Sequence, residues 1–272
     1  MKCFIVLCVC ALVEGVRLSY IHRNDKKCGV EASTNLIHRN PWLVFVEFQR
    51  KDSIIDIRCA GTLVGKRHII TAAHCVKKHR YNKLIARLGE YDTSKRKDCL
   101  LGVCADPVVR IEVETVIIHD GYNGNGYGND IAILVLKTAA PYTDFIRPAC
   151  LPNGPVDETV LLFAAGWGEL TTSSHYSDVK KIIPLPLWSP AECRAVYPHT
   201  NLPEDIICAG GEKNMDTCRG DSGGPLIWIR ERAELRGVTS TGYIHCGTEN
   251  APGLYTSVEY HLPWIEATIY GY

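Results

Sequence analysis

The sequence predicts an all-β protein, and three observations carry that expectation. Short segments rich in Val, Ile, Leu and Phe recur between turn residues from Trp42 onward. One of them, residues 108–118, alternates, with Val109, Ile111 and Val113 set against Arg110, Glu112 and Glu114, which is the period of a half-buried strand. The chain has 272 residues, more than a typical domain of ~100–200, so two compact units or one large β domain are expected. Many short strands at this spacing mean a sandwich or a barrel, and pattern alone does not choose between them.

Taken in order, the chain opens with Lys2, a mostly apolar run over residues 3–13, then Glu14 and Gly15. This reads as a secretory signal peptide, residues 1–15, too short to span a bilayer. No later stretch is apolar enough to cross a membrane, so a secreted, soluble, extracellular chain is expected. Lys and Arg total 30 against 30 Asp and Glu, and this neutral balance gives no reason to expect nucleic acid. Of 13 cysteines, Cys3, Cys8 and Cys10 leave with the signal. The even number remaining, in an oxidising compartment, argues for disulfides. No Cys-X-X-Cys pair or matching His spacing supports structural zinc.

After a short segment over residues 16–40, strands are expected at residues 42–49, 68–71, 84–88, 108–118, 131–136, 160–165, 181–187, 225–230, 235–240 and 254–258. The glycine-rich run 121–129 reads as a flexible loop beside Asp130, and residues 151–155 as a joint. In the tail 261–270, Leu262, Ile265 and Ile269 stand at helical spacing, with Pro263 tolerable only near the start. That helix is expected to pack on the second half of the chain.

The chemistry concentrates at Asp216-Thr217-Cys218-Arg219-Gly220-Asp221-Ser222-Gly223-Gly224-Pro225. A serine flanked by glycines lets a substrate carbonyl approach, and exposed backbone N–H groups can hold an oxyanion. Alone, such a run is more often a surface loop. A serine nucleophile also needs a base, and the base an orienting acid. Upstream stand Thr71-Ala72-Ala73-His74-Cys75 and Asn129-Asp130-Ile131-Ala132.

These stretches in the order His, Asp, Ser, with Gly166-Trp167-Gly168 and Pro252-Gly253-Leu254-Tyr255 also in register, resemble the signatures of the chymotrypsin/trypsin family of serine endopeptidases. The resemblance runs from about Pro41 to the C-terminus, residues 41–272. It implies two antiparallel six-stranded β-barrels, at about 41–145 and 152–258, with the active site in the cleft between them and a C-terminal helix at about 261–270. His74 would be the general base, Asp130 its orienting acid and Ser222 the nucleophile. Gly220 and Ser222 would supply the oxyanion-hole N–H groups. Asp216 would form the floor of a pocket for Arg or Lys, walled by Gly242 and Gly253, with Ser240 supporting Asp130.

The resemblance further implies disulfides Cys59–Cys75, Cys193–Cys208, Cys218–Cys246 and Cys28–Cys150. Cys99 and Cys104 are left as a short extra bridge like that of arthropod easter-type and prophenoloxidase-activating proteases, although no clip domain is expected before Cys28. No cofactor is required by this chemistry; Glu90 is the one residue that aligns with a calcium site. Protein or peptide substrates with Arg or Lys before the scissile bond are expected, serpin-type inhibitors are expected partners, and the chain is expected to be a monomer.

Two positions depart from the family. Thr241 stands where an aromatic residue is usual. Between Cys28 and Pro41 there is no Arg-Ile-Val-Gly-Gly, the cut site whose new ammonium pairs with the aspartate before the nucleophile, here Asp221. On that ground Asp221 is expected in a solvated, zymogen-like position with little peptidase activity. Two functions follow as expectations: a secreted endopeptidase cleaving after Arg or Lys, or a regulatory or binding protein that keeps the protease fold.

Overall fold

The computed structural model describes residues 27–271 apart from 52, 78–79, 125–126, 157–159, 171–174 and 244. The signal-peptide assignment to residues 1–15 and most of the segment before Cys28 lie outside the described residues.

Two β units follow one another. In the first, β1 (Leu43–Arg50), β2 (Ser53–Leu63), β3 (His68–Thr71), β4 (Lys83–Leu88), β7 (Val109–Ile118) and β8 (Ala132–Leu136) close a barrel in the order β1-β2-β3-β8-β7-β4. Its interior is made by alternation: Val44, Val46 and Phe48 point inward from β1, and Leu84, Ala86 and Leu88 from β4. Between β4 and β7, β5 (Cys99–Leu100) and β6 (Val103–Cys104) form a separate two-stranded hairpin. The short helix α1 (Ala73–Lys77) follows β3.

The second unit is a six-stranded antiparallel sheet. It consists of β9 (Leu161–Gly166), β10 (Lys181–Pro186), β11 (Ile206–Gly210), β12 (Pro225–Ile229), β13 (Ala233–Thr241) and β14 (Pro252–Ser257), in the order β10-β9-β12-β13-β14-β11. Among the described residues its two edges meet at one bridge, between Leu187 and Ala209. The closure expected of a second barrel is therefore one residue deep, because β10 ends at Pro186, whose ring cannot donate to a ladder. Helix α2 (Pro190–Val196) starts at Ser189, where a capping box with Glu192 satisfies the exposed N–H groups.

Strands at residues 68–71, 83–88 and 109–118 lie where the sequence places them. Missed were β2, whose run Arg58-Cys59-Ala60-Gly61 breaks the alternation, β11, which is only five residues long, and the two-residue strands β5 and β6. Helix α3 (Leu262–Tyr270) forms as expected, with Pro263 in its first turn and Gly271 left-handed at its end. It does not confine itself to the second unit. Its Leu262 and Ile265 enter a core shared with the first barrel, and the Trp264 ring lies 5.0 Å from that of His119.

All five expected disulfides are present: Cys28–Cys150, Cys59–Cys75, Cys99–Cys104, Cys193–Cys208 and Cys218–Cys246. Cys28–Cys150 ties the N-terminal segment to the joint, where Gly29 lies between Pro148 and Ala233, donating to one and accepting from the other. Gly29 has φ +67, and a Cβ there would lie 2.6 Å from the Ala233 carbonyl oxygen, so only glycine fits. Sequence separations of 122 and 5 predict unequal effects on removal. Chain entropy gives about 5 kcal/mol for the long loop and about 2 kcal/mol for the hairpin. Denaturant titration of the paired Cys→Ser variants, Cys28/Cys150 against Cys99/Cys104, should reproduce that order.

Candidate active site

His74 stands on α1, directly after β3, where Cys75 is bonded to Cys59 of β2. The disulfide fixes the turn that presents the imidazole. Asp130 precedes β8 and is buried, since the chain is about to enter the barrel wall between apolar neighbours. Its carboxylate accepts the His74 ring N–H at Nδ1 (2.7 Å), the His74 backbone N–H (2.8 Å) and the Ser240 hydroxyl (2.5 Å). Burial works to raise its pKa, but the hydrogen bond and charge of His74 and the Ser240 hydroxyl outweigh it and hold the carboxyl below its ordinary value. With Nδ1 donating to Asp130, the ring nitrogen left as acceptor is Nε2, which lies 3.8 Å from Cys75 Sγ.

Ser222 lies on the turn before β12, and its carbonyl accepts from Ala60 N–H of the first barrel at 2.8 Å. That bond docks the nucleophile loop across the cleft. His74, Asp130, Ser222 and Ser240 line one cavity of about 610 Å³, together with Thr241 and Gly242. The turn is tight: Asp221 N–H donates to the Cys218 carbonyl (3.0 Å) and Gly224 N–H to the Asp221 carbonyl (2.9 Å). Among the described residues, neither Gly220 nor Ser222 donates its backbone N–H to another backbone group, which leaves both for an incoming oxygen. Gly220 has φ +95, a conformation that a side chain would strain.

Two glycines stand in succession beside Asp216. A Cβ on Gly242 would lie 3.6 Å from Gly253 Cα, and one on Gly253 would lie 3.1 Å from Asp216 Oδ1. That oxygen is buried without a hydrogen-bond partner, while Oδ2 accepts from Gly247 N–H at 3.4 Å. Burial raises the Asp216 pKa to about 6. Asp216 does not border the His74 cavity directly. It borders a second cavity, and its neighbour Thr217 lines both.

Asp221 corrects the sequence expectation. Its carboxylate is buried rather than solvated and accepts N–H groups from Gly168 (2.7 Å) and Cys218 (3.0 Å). No cation pairs with it among the described residues. Burial raises its pKa to about 6. A Cβ on Gly166 or Gly168 would overlap this carboxylate. Gly168→Ala is therefore expected to push Asp221 out, move Gly220 with it, and lower amide hydrolysis by about 100-fold or more, the worth of one oxyanion donor. Steady-state kinetics of the purified variant would check this.

Several neighbours carried no signal in the sequence. Tyr122, Tyr127, Arg219 and Tyr243 line the His74 cavity, and Thr256 donates its hydroxyl to the Asp130 carbonyl at 3.1 Å. The glycine-rich loop is less open than expected, since Tyr122 is buried and its carbonyl accepts the Lys77 ammonium at 2.8 Å. Glu90 is buried and ion-paired with Arg87, its second oxygen lacking a partner; calcium binding there has no further support. Cys59 and Cys75 lie near His74, but their sulfurs are joined to each other and offer no thiolate to a metal.

Comparisons with known proteins give relatives of this sequence and of this fold. The mosquito Anopheles gambiae CLIP domain-containing serine protease B9 is 34% identical over 90% of this chain. The Spaetzle-processing enzyme of Drosophila melanogaster is 36% identical over 83% of it. The chain spans 66% and 62% of the lengths of these two relatives. Among solved structures, mouse neuropsin superposes with a TM-score of 0.72 at 29% identity, covering 86% of this chain and 96% of neuropsin. The family model for trypsin matches residues 29–265, and the chain belongs to the trypsin family of serine proteases.

Proposed function

We propose that the chain is a secreted serine endopeptidase that hydrolyses peptide bonds after Arg or Lys. The observation that carries this reading is the chain of contacts from Ser240 through Asp130 to His74, ending in the cavity that also holds Ser222. Ser222 Oγ attacks the scissile carbonyl while His74 Nε2 takes its proton. The oxyanion settles on the N–H groups of Gly220 and Ser222, His74 returns the proton to the leaving amine, and water then releases the acyl group by the same route. Asp130 holds the histidine tautomer and stabilises the imidazolium.

Asp216 sets the preference for a basic side chain. A guanidinium or ammonium passing Gly242 and Gly253 reaches a buried carboxylate oxygen with no partner, where a charge-assisted hydrogen bond is strong. Thr241 offers little apolar surface, so extended peptides gain less there than basic side chains gain at Asp216. Five disulfides suit an oxidising compartment, and no described helix is long and apolar enough to cross a membrane. Serpin-type inhibitors and monomeric behaviour belong to the same reading.

A second reading, a regulatory or binding protein with a protease fold, is favoured by the missing Arg-Ile-Val-Gly-Gly and by the absence of a hydrogen bond between Ser222 Oγ and His74 among the described residues. Labelling by a fluorophosphonate, lost in Ser222→Ala, with hydrolysis of an arginyl amide but not a phenylalanyl one, is the result expected of the enzyme. No labelling of the folded, secreted chain would favour the second reading.

A further inference from the structure

The second cavity, about 210 Å³, is bordered by Gly166, Gly168, Lys181, Asp216 and Asp221. Its lining also includes Glu169, so three carboxylates and one lysine border it. Strand pairing decides where that lysine can reach. Lys181 is the direct antiparallel partner of Gly166, and opposite residues project from the same face of a sheet with Cβ atoms about 4.5–5.5 Å apart. On that face, the position a Gly166 Cβ would take overlaps Asp221 Oδ1. The Lys181 Cβ therefore stands beside the Asp221 carboxylate, within the span of a flexible four-carbon lysine stem. The missing Gly166 side chain leaves that path open.

The neighbouring lysine is already committed elsewhere: Lys180 is buried and donates to the Arg39 carbonyl at 2.6 Å. Lys181 is exposed, with its ammonium in no ion pair among the described residues. Glu169, which also lines this cavity, is 3.9 Å from Arg219, a residue of the His74 cavity, and among the described residues no cation pairs with Asp216 or Asp221.

We propose that Lys181 is a positioning residue for catalysis: its ammonium enters the second cavity and pairs with Asp221, in place of the N-terminal amine that an Arg-Ile-Val-Gly-Gly cut would supply. The pair holds the turn from Cys218 to Ser222, so that Gly220 and Ser222 keep their N–H groups toward the substrate carbonyl without cleavage of the chain. This role rests on the proteolytic reading above. Lys181 touches no substrate and acts only through Asp221.

The test combines catalysis with a coupling measurement that does not depend on it, on the secreted chain. Lys181→Met should lower kcat on an arginyl amide by about 100-fold or more with a smaller change in KM, and Lys181→Arg should restore most of the loss. Independently, Tm is followed from pH 4 to 8 for wild type, Lys181→Met, Asp221→Asn and the double variant. Asp216 and Glu169 line the same cavity and Arg219 lies against Glu169; all three are common to the four proteins, so they cancel from the cycle.

The pair stabilises only the ionised form of Asp221. The Tm deficit of Lys181→Met should therefore open as pH rises toward 6, hold above it, reach about 3 °C or more, and vanish in the Asp221→Asn background. Coupling together with the kinetic loss supports the proposal. Additive Tm effects overturn it, while an active wild type leaves the protease reading standing. Coupling in a wild type that neither hydrolyses the amide nor reacts with fluorophosphonate overturns both.

Discussion

Asp130→Asn is expected to lower kcat on an arginyl amide by about ten-thousandfold, the size of the tautomer effect in the general serine-protease template. The carboxylate now accepts the His74 Nδ1–H at 2.7 Å and the His74 backbone N–H at 2.8 Å. An amide can present a donor where the ring needs an acceptor. The histidine then turns its proton to Nε2 and faces Ser222 with a donor rather than a base. Because the Asp130 pKa is held below its ordinary value, its charge contributes stability above the unfolded carboxylate range that is lost on acidification. The expected signature is a collapse of kcat with KM and far-UV dichroism nearly unchanged, read from steady-state kinetics at neutral pH. A loss below tenfold would remove Asp130 from its assigned role.

Asp216→Ser is expected to lower kcat/KM for arginyl amides by roughly 200- to several-thousandfold, the equivalent of about 3–5 kcal/mol for leaving one partner of a buried charge pair alone. The effect arises at one atom: Oδ1 is buried, has no partner and sits against Gly253. The variant should lose its preference for Arg over uncharged side chains without unfolding. A pH signature accompanies it. Burial puts the Asp216 pKa at about 6, so the carboxylate is ionised above that value and protonated below it. Binding of benzamidine to wild type should weaken as pH falls through about 6, with that limb absent in the variant. Equal arginyl activity in wild type and variant would show that the basic side chain is bound elsewhere.

Much of the candidate site was legible because each of its residues sits in a short local motif, and the motifs follow one another in the order found in this family. His74, Asp130 and Ser222 stand 56 and 92 positions apart along the chain, yet each carries a local context, Ala-Ala-His-Cys, Asn-Asp-Ile-Ala and Gly-Asp-Ser-Gly-Gly, that survives reading as text. The five disulfides followed from the same register. Strands with clear alternation, such as β7, were readable because one face is buried and the other wet. β2 was not, since its pairing with both β1 and β3 is a long-range matter and its sequence lacks the period.

Residue order alone therefore determined the family, the cysteine pairs and the absence of an Arg-Ile-Val-Gly-Gly stretch, and it named the three residues proposed as a triad. It misjudged the state of Asp221, because burial is a property of neighbours brought from elsewhere in the chain. Gly166 and Gly168 on one side and Cys218 on the other enclose that carboxylate and supply its N–H donors. Only the tertiary structure placed Lys181 across from Gly166 rather than Lys180, since β-pairing register assigns side chains to faces and a shift of one residue would exchange them. A text of 272 residues carries the chemistry of each side chain, but the electrostatic balance at Asp221 is set by distances that exist only once both sheets have folded.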